Sequence, residues 1–162
     1  KDGSRTYYHQ MLGMVMVHPD EKVVLPFAPE PILNEDGTGK NDCERNAAKR
    51  FLAHLREDYP HVPFVITEDA LSANAPHIQE LQGHKLHFIL GVKPGDHPYL
   101  FDYVDTAHAQ GETIEFEQTV DGVTHRFRWM HDVPLNAANP EVRVAIATRT
   151  RIVLGRDPSD DH

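Results

Sequence analysis

Two short apolar runs, with helix signals between them, constrain the fold of this chain more than any other feature. The runs occupy residues 64–67 and 86–92, and the second is nearly continuous, as in strands that are covered on both faces. Between them, Asn74-Ala-Pro76 is typical of a helix start and Gly83 of a helix end. A strand, a helix and a second strand predict a βαβ unit, so the chain is expected to belong to the α/β class.

Signals before this unit predict a hairpin and a longer helix. Residues 7–18 are rich in β-forming side chains, the next two carry Pro and Asp suited to a tight turn, and an apolar run resumes at 23–27. Asn41 and Glu44 have the spacing of a capping box, and the helix that they begin is expected to end near Tyr59. Its apolar residues recur at helical spacing on one face: Ala47, Ala48, Phe51, Leu52 and Leu55.

The chain changes character after the βαβ unit. Residues 99–104 are expected to form a helix or an irregular packed segment, and two alternating runs, 114–120 and 124–130, follow it. Asp121-Gly122 between the runs is a strong hairpin signal, and a last strand is expected around 142–146. The six aromatic residues of this region are expected to form a core rather than a base-stacking platform: Tyr99, Phe101, Tyr103, Phe116, Phe127 and Trp129.

Asp69 is the candidate catalytic or metal-binding residue. It follows the apolar run 64–67, and an acid at the end of a buried strand is held still while it stays open to a substrate. Glu68 precedes it, and alternation along the strand turns that side chain to the other face, as a helper or a surface residue. Acids after a strand also solvate loops or cap the next helix, and the local pattern leaves both interpretations open.

Charge bounds the kind of nucleic-acid contact that the chain can make. Lys and Arg number 16 against 25 Asp and Glu, which gives a net charge of −9 and excludes a surface that is basic throughout. Any contact with DNA is therefore local. Residues 126–156 hold six Arg and two acids, so Arg126 and Arg128 are candidates for backbone contact, with a solvated β face as the alternative. Lys93 and His97, in the turn after the second apolar run, either touch phosphate or simply connect two elements.

The cysteine count and the hydropathy of the chain indicate its cellular compartment. Cys43 is the only cysteine, which excludes an intrachain disulfide and favours a reducing environment. No apolar run approaches the ~20 residues that span a bilayer, and no signal peptide opens the chain. A cytoplasmic protein without membrane contact is therefore expected.

Five longer segments resemble one protein family. They read YHQMLG at 8–13, VHPD at 17–20, APEPI at 28–32, NDCERNAAK at 41–49 and FILGVKPGDH at 88–97. Together they resemble the catalytic domain of bacterial insertion-sequence transposases of the DDE type, over about residues 7–132. The resemblance implies an RNase H-like mixed sheet with flanking helices and a C-terminal β-hairpin insertion. It divides the chain into a partial catalytic core at 1–105 and a β-rich insertion at 106–155. The polar residues 156–162 are expected to form a disordered tail.

The resemblance also implies a metal site. In that family an Asp on the first strand, an Asp at the end of the fourth strand and a Glu on a late helix bind two Mg²⁺ or Mn²⁺ ions. Only the second acid maps onto this sequence, and it maps onto Asp69. The first is expected upstream of Lys1, and residues 139–162 show no helix pattern to carry the Glu. The core is therefore expected to be incomplete, and the chain alone to be inactive in cleavage.

The same resemblance implies a function. It implies DNA transposition, a recombination reaction of mobile elements, by metal-dependent cleavage and strand transfer on transposon-end DNA, with a homodimer as the acting form. Two other functions remain open. One is a decayed or domesticated derivative that binds DNA or a protein without cutting. The other is an unrelated α/β module that binds a small ligand beside Asp69.

Overall fold

The computed structural model of the chain describes residues 9–33 and 40–152, with side chains throughout except at 40–43, 151 and 152. Within these ranges the chain forms nine strands and three helices, which confirms the α/β class. None of these helices is both long enough and apolar enough to cross a membrane. The predicted disordered tail, residues 156–162, lies outside the described residues.

The chain divides into two compact units. The first takes the chain up to Thr67 together with Pro76–Ile89, and the second takes Glu68–Ala75 together with the chain from Leu90 onward. Each unit has its own buried residues.

The first unit begins with four short strands. β1 (Gln10–Leu12) pairs antiparallel with β4 (Glu30–Ile32), and β2 (Val15–His18) pairs antiparallel with β3 (Glu21–Pro26). The second pair is the predicted hairpin, although its first strand is interrupted between β1 and β2. All side chains of β2 and β3 are exposed, so neither face of this hairpin is buried by the described part of the chain.

α1 (Lys40–Asp58) is the predicted long helix, and it begins one residue before Asn41, so that Asn41 lies inside the helix rather than at its cap. Four of the five residues of its predicted apolar face are buried, because they recur every three or four positions and share one side of the helix. Phe27 packs edge-on against Phe51, Tyr59 and Phe64, with ring centroids 6.2, 5.8 and 5.9 Å away. These contacts join the segment after β3 to the end of α1.

Two arginines of α1 bind the segments around it. Arg50 donates to Glu30 Oε1 at 2.6 Å and to the Pro31 carbonyl at 2.8 Å, which ties α1 to β4. Arg56 donates to five backbone carbonyls at 2.9 to 3.3 Å, three of them from Nη1 and one each from Nε and Nη2. Because Nη1 carries two hydrogens, at least two of its three acceptors share one of them. The five acceptors are the carbonyls of Tyr59, Pro60, Val62, His84 and Lys85.

β5 (Val65–Glu68), α2 (Ala75–Gly83) and β6 (His87–Leu90) form the predicted βαβ unit. Ile78 and Leu81, the predicted inner face of α2, are fully buried. Ala-Pro at the start of α2 and Gly at its end agree with the helix signals in the sequence.

The two strands of this unit are parallel. His87 donates its N–H to the Phe64 carbonyl at 3.2 Å, and Gly91 donates to the Glu68 carbonyl at 3.0 Å. From the first of these hydrogen bonds to the second, the donor moves from residue 87 to residue 91 and the acceptor from residue 64 to residue 68. Both move toward the C-terminus by the same number of residues, which is the pattern of a parallel ladder.

One prediction for this unit is wrong. The apolar run 86–92 was expected to be covered on both faces, yet Ile89 on β6 is 66% exposed and Val65 on β5 is 55% exposed. Ile66, the neighbour of Val65, is buried. Side chains alternate between the faces of a strand, and only one face of this two-stranded pair is packed by the described residues.

The second unit is built on a three-stranded antiparallel sheet. β7 (Ile114–Val120), β8 (Val123–Asn136) and β9 (Asn139–Ile152) pair in that order. The predicted turn joins the first two strands, and Asp121 and Gly122 both have positive φ, 50° and 74°. Positive φ at both central residues is the requirement of a type I′ hairpin turn. The predicted last strand is also present, and it is longer than expected.

α3 (Pro98–Ala109) covers one face of this sheet. Leu100 and Val104 of the helix pack with Val133 and Ile146 of the sheet, and all four are buried. The helix is the first of the two forms predicted for residues 99–104.

The predicted aromatic core is wrong. Phe116 stacks on Phe127 with ring centroids 4.6 Å apart, and Trp129 meets Phe116 edge-on at 5.6 Å, yet Phe116 is 46% exposed. The strand register places these rings on the opposite face from Met130, which packs toward α3. Alternation along the strands therefore separates them from the core under the helix.

Candidate functional site

Asp69 lies directly after β5, where the strand meets a tight turn. Its Oδ1 accepts the Leu71 N–H at 3.0 Å, and its main-chain oxygen accepts the Ser72 N–H at 3.2 Å. An Asp that binds the backbone two residues on forms an Asx turn, which restrains the carboxylate. The Asp69 side chain is exposed, whereas Glu68 is half-buried. The two neighbouring acids therefore differ in their access to solvent.

The turn after β6 lies against the Asp69 turn. A Cβ at Gly91 would lie 3.3 Å from the Ala70 nitrogen and 3.6 Å from the Asp69 Cα. A glycine at this position therefore lets the two backbones approach closely. Because β5 and β6 are parallel, both turns lie at the carboxyl edge of the pair, which is where open α/β sheets bind their ligands.

His97 links the same two turns by a second contact. Its Nε2 lies 2.8 Å from the Ala73 carbonyl oxygen, 24 residues earlier in the chain. A carbonyl oxygen only accepts hydrogen bonds, so Nε2 carries the hydrogen. The other ring nitrogen, Nδ1, is buried and has no hydrogen-bond partner in the described part of the chain. The contact that the structure gives to His97 is thus with the protein itself, and its contact with DNA stays a prediction.

Lys93 lies in the same turn as His97, and its side chain is exposed. Its carbonyl accepts the N–H of Asp96 at 3.1 Å and that of His97 at 2.9 Å, which fixes the backbone of the turn. The structure therefore brings three predicted site residues, Asp69, Lys93 and His97, onto two adjoining turns.

The two predicted DNA contacts on β8 are paired with acids. Arg126 binds Glu117 at 2.7 Å, and Arg128 binds Glu115 at 2.6 Å and Asp105 at 3.3 Å. The hydrogen bond from Arg128 holds the pKa of Glu115 below its usual value. Their partners lie on β7 and α3 rather than on the Asp69 turn. These pairs compensate two of the six arginines on which the basic composition of residues 126–156 rests.

The sequence contains a signal that predicts these pairs. A two-residue turn at 121–122 fixes the register of the hairpin, which sets Glu117 opposite Arg126 and Glu115 opposite Arg128. Opposite charges directly across two antiparallel strands attract each other. Counting outward from the Asp-Gly turn identifies both pairs without a structure.

The described residues do not make a complete two-ion site. No group of three or more His, Cys, Asp or Glu side chains that could hold a metal ion occurs among them. Asp69 can contribute one carboxylate, whereas two hard cations with octahedral shells need several oxygen ligands. The residues therefore fit a part of such a site.

A pocket in the first unit bears on small-ligand binding. It has a volume of about 360 Å³ and lies between the end of β3 and α1, with Phe27, Phe51 and Tyr59 in its wall. This volume is at the lower end of the range for small-molecule sites. Asp69 does not line this pocket, so the pocket gives no support to a ligand site beside Asp69.

Comparison with known proteins found no relative of this chain. No protein-family model, no curated protein and no solved structure matches it. The geometry of the two turns and the resemblance of the five sequence segments are therefore the grounds for assigning a function.

Proposed function

We propose that this chain is part of the catalytic domain of a DDE-type insertion-sequence transposase, in which Asp69 is one of the metal-binding carboxylates. One observation carries the proposal: Asp69 is exposed at the carboxyl edge of a parallel strand pair, against the turn that follows the neighbouring strand. A carboxylate in that place is restrained by the strand and accessible to a ligand.

The order of elements supports the RNase H-like fold that the resemblance implies. A hairpin (β2 and β3), a helix (α1), and then β5, α2 and β6 follow one another along the chain. Helices cover the faces of such a sheet, so the exposed face of β5 and β6 is what a core without its late helix would leave uncovered. The β7–β8 hairpin would then belong to the insertion.

The ligand set decides what these residues do alone. Carboxylate oxygen is a ligand that Mg²⁺ and Mn²⁺ prefer, and Asp69 offers one such group. Two bound ions supply activation of the attacking oxygen and stabilisation of the leaving oxygen in phosphoryl transfer. With Asp69 as the one mapped acid, we propose that the chain binds a divalent ion weakly and does not cleave DNA without further acids.

DNA is the proposed partner, in the form of transposon ends held by a homodimer. Lys93 is exposed on the turn that adjoins Asp69, so a phosphate near the metal is within reach of a positive charge from this turn. Arg126 and Arg128 would contact the DNA backbone only by sharing or leaving their glutamate partners.

Titration with Mn²⁺ tests the proposed metal ligand, with NMR line broadening of backbone amides as the readout. We expect selective broadening at residues 69–72 in the unmodified chain and its loss in Asp69→Asn. Glu68→Gln is the matched control, because it removes the neighbouring charge and should leave the broadening in place. Equal broadening in Asp69→Asn and the unmodified chain would refute the proposal.

DNA binding by the same variants distinguishes a transposase from a derivative that binds DNA without cutting it. Such a derivative would bind DNA equally with and without Mg²⁺, and Asp69→Asn would leave that binding unchanged. A metal-dependent component of DNA binding that Asp69→Asn removes would support the transposase assignment instead.

A further inference from the structure

We propose that His97 is a positioning residue, which holds the turn that carries Asp69 through the hydrogen bond between its Nε2–H and the Ala73 carbonyl. The use of the Asp69 carboxylate as a ligand rests on the proposed function, whereas the His97 contact does not. His97 therefore acts on the site from the protein side, by fixing the backbone.

The hydrogen bonds between neighbouring residues of the turn set its shape but do not connect it to other parts of the chain. Asp69 binds the N–H groups of Leu71 and Ser72, and the Ala70 carbonyl accepts the Ala73 N–H at 3.4 Å. All of these contacts join residues two or three positions apart. They set the local conformation and do not tie it to another element.

Two longer contacts anchor the turn, one on each side of Asp69. Before it, Gly91 donates to the Glu68 carbonyl at 3.0 Å, which ends the β5–β6 ladder. After it, His97 donates to the Ala73 carbonyl at 2.8 Å. Asp69 lies between these anchors, so loss of the second would weaken the hold on one side of the turn while the ladder still held the other.

The burial of the imidazole selects one tautomer. Nδ1 is buried without a partner in the described residues, so a hydrogen on that atom would be buried without an acceptor. A ring with its hydrogen on Nδ1 would also place the lone pair of Nε2 against the Ala73 oxygen. The tautomer with its hydrogen on Nε2 avoids both costs. A phosphate contact, by contrast, would need an N–H that solvent reaches.

Three variants test this role through amide exchange at Leu71 and Ser72, measured by NMR. His97→Leu removes the donor, and we expect exchange at both amides to become about tenfold faster, the effect of one lost hydrogen bond. His97→Gln places an amide donor near the position of Nε2, so it should restore most of the protection. His125→Leu is the matched control and should leave both amides unchanged. His125 is also half-buried, and its buried Nδ1 has no hydrogen-bond partner among the described residues.

A second measurement uses the unmodified protein and needs no variant to fold. Imidazole ¹⁵N shifts should identify the Nε2–H tautomer for His97. An Nδ1–H tautomer, or unchanged exchange in a folded His97→Leu protein, would overturn the proposal. If Mn²⁺ fails to broaden the turn while His97→Leu still loosens it, the proposed function fails and the positioning role of His97 stands.

Discussion

The parallel pair β5–β6 and the antiparallel sheet β7–β8–β9 are held together by different means. The antiparallel sheet has a two-residue turn, cross-strand ion pairs and a helix packed on one face. The parallel pair has two short strands joined through α2, and one of its faces is exposed. Neighbouring residues thus specify much of the antiparallel sheet, whereas the parallel pair depends on contacts between distant segments.

Charge distinguishes the same two regions. On the sheet, Glu115 and Glu117 are compensated by arginines directly across the hairpin. At the carboxyl edge of the parallel pair, Asp69 and Lys93 are exposed on turns whose backbones are fixed. Charge on the sheet therefore stabilises structure, and charge on the turns is available to a ligand.

The largest effect is expected from variants that compare the buried side of the βαβ unit with its exposed face. Leu81→Ala empties a fully buried position on α2 and should lower the free energy of unfolding by about 2–5 kcal/mol. Ile89→Ala removes a side chain of the same size from the exposed face of β6 and should cost less than ~1 kcal/mol. Urea unfolding followed by circular dichroism measures both. Similar losses would mean that the exposed face is covered in solution.

The next effect tests the local turn on which the antiparallel sheet depends. Gly122→Ala forces a side chain into a φ of 74° and should cost about 1–2 kcal/mol. Gly95→Ala is the control, because a Cβ there meets nothing within 4 Å and stability should be unchanged or slightly higher. Thermal unfolding measures the difference. Equal stabilities for the two variants would contradict the role given to the turn.

DNA binding tests whether compensated and exposed charges differ. If the proposed DNA contact is right, Lys93→Ala should reduce the slope of log affinity against log salt by about 0.9, the value for one phosphate contact. Arg126→Ala should reduce it less, because Glu117 already compensates that arginine. Fluorescence anisotropy over a range of salt concentrations measures the slopes. A larger reduction of the slope in Arg126→Ala than in Lys93→Ala would contradict the distinction between compensated and exposed charges.

The smallest effect concerns the ionisation of Glu115. The Arg128 hydrogen bond lowers its pKa from 4.5, so the folded protein binds this proton less tightly than the unfolded chain. The stabilising contribution is therefore complete above pH 4.5 and is lost as the pH falls below that value. An NMR titration of the Glu115 carboxyl carbon should show its pKa rising toward 4.5 in Arg128→Gln. An unchanged pKa would assign the shift to another cause.

The elements that the sequence predicts correctly are those defined by neighbouring residues. Asp121-Gly122 defines a hairpin because both residues tolerate positive φ, and the apolar spacing of 47–55 defines the buried face of α1. The antiparallel pairing of β1 with β4 was missed, because each strand has three residues and too little alternation to recognise.

The candidate site shows the same division. The position of Asp69 after a strand follows from the local pattern, and so does the turn at Lys93. The contact of His97 with Ala73 and the close approach at Gly91 depend on two loops meeting, which no local pattern encodes. The sequence predicts a DNA contact for His97, and its hydrogen bond to a backbone carbonyl is visible only in the structure.

A single side chain, that of Arg56, holds two segments of the first unit in place. One guanidinium binds carbonyls in 59–62 and in 84–85, two segments that are far apart along the chain. When the Arg56 side chain moves away, both segments lose their donors at the same time. Lysine cannot replace this arrangement, because its three donors lie on a single nitrogen. The end of α1 and the turn before β6 should therefore open cooperatively, as one event in native-state exchange.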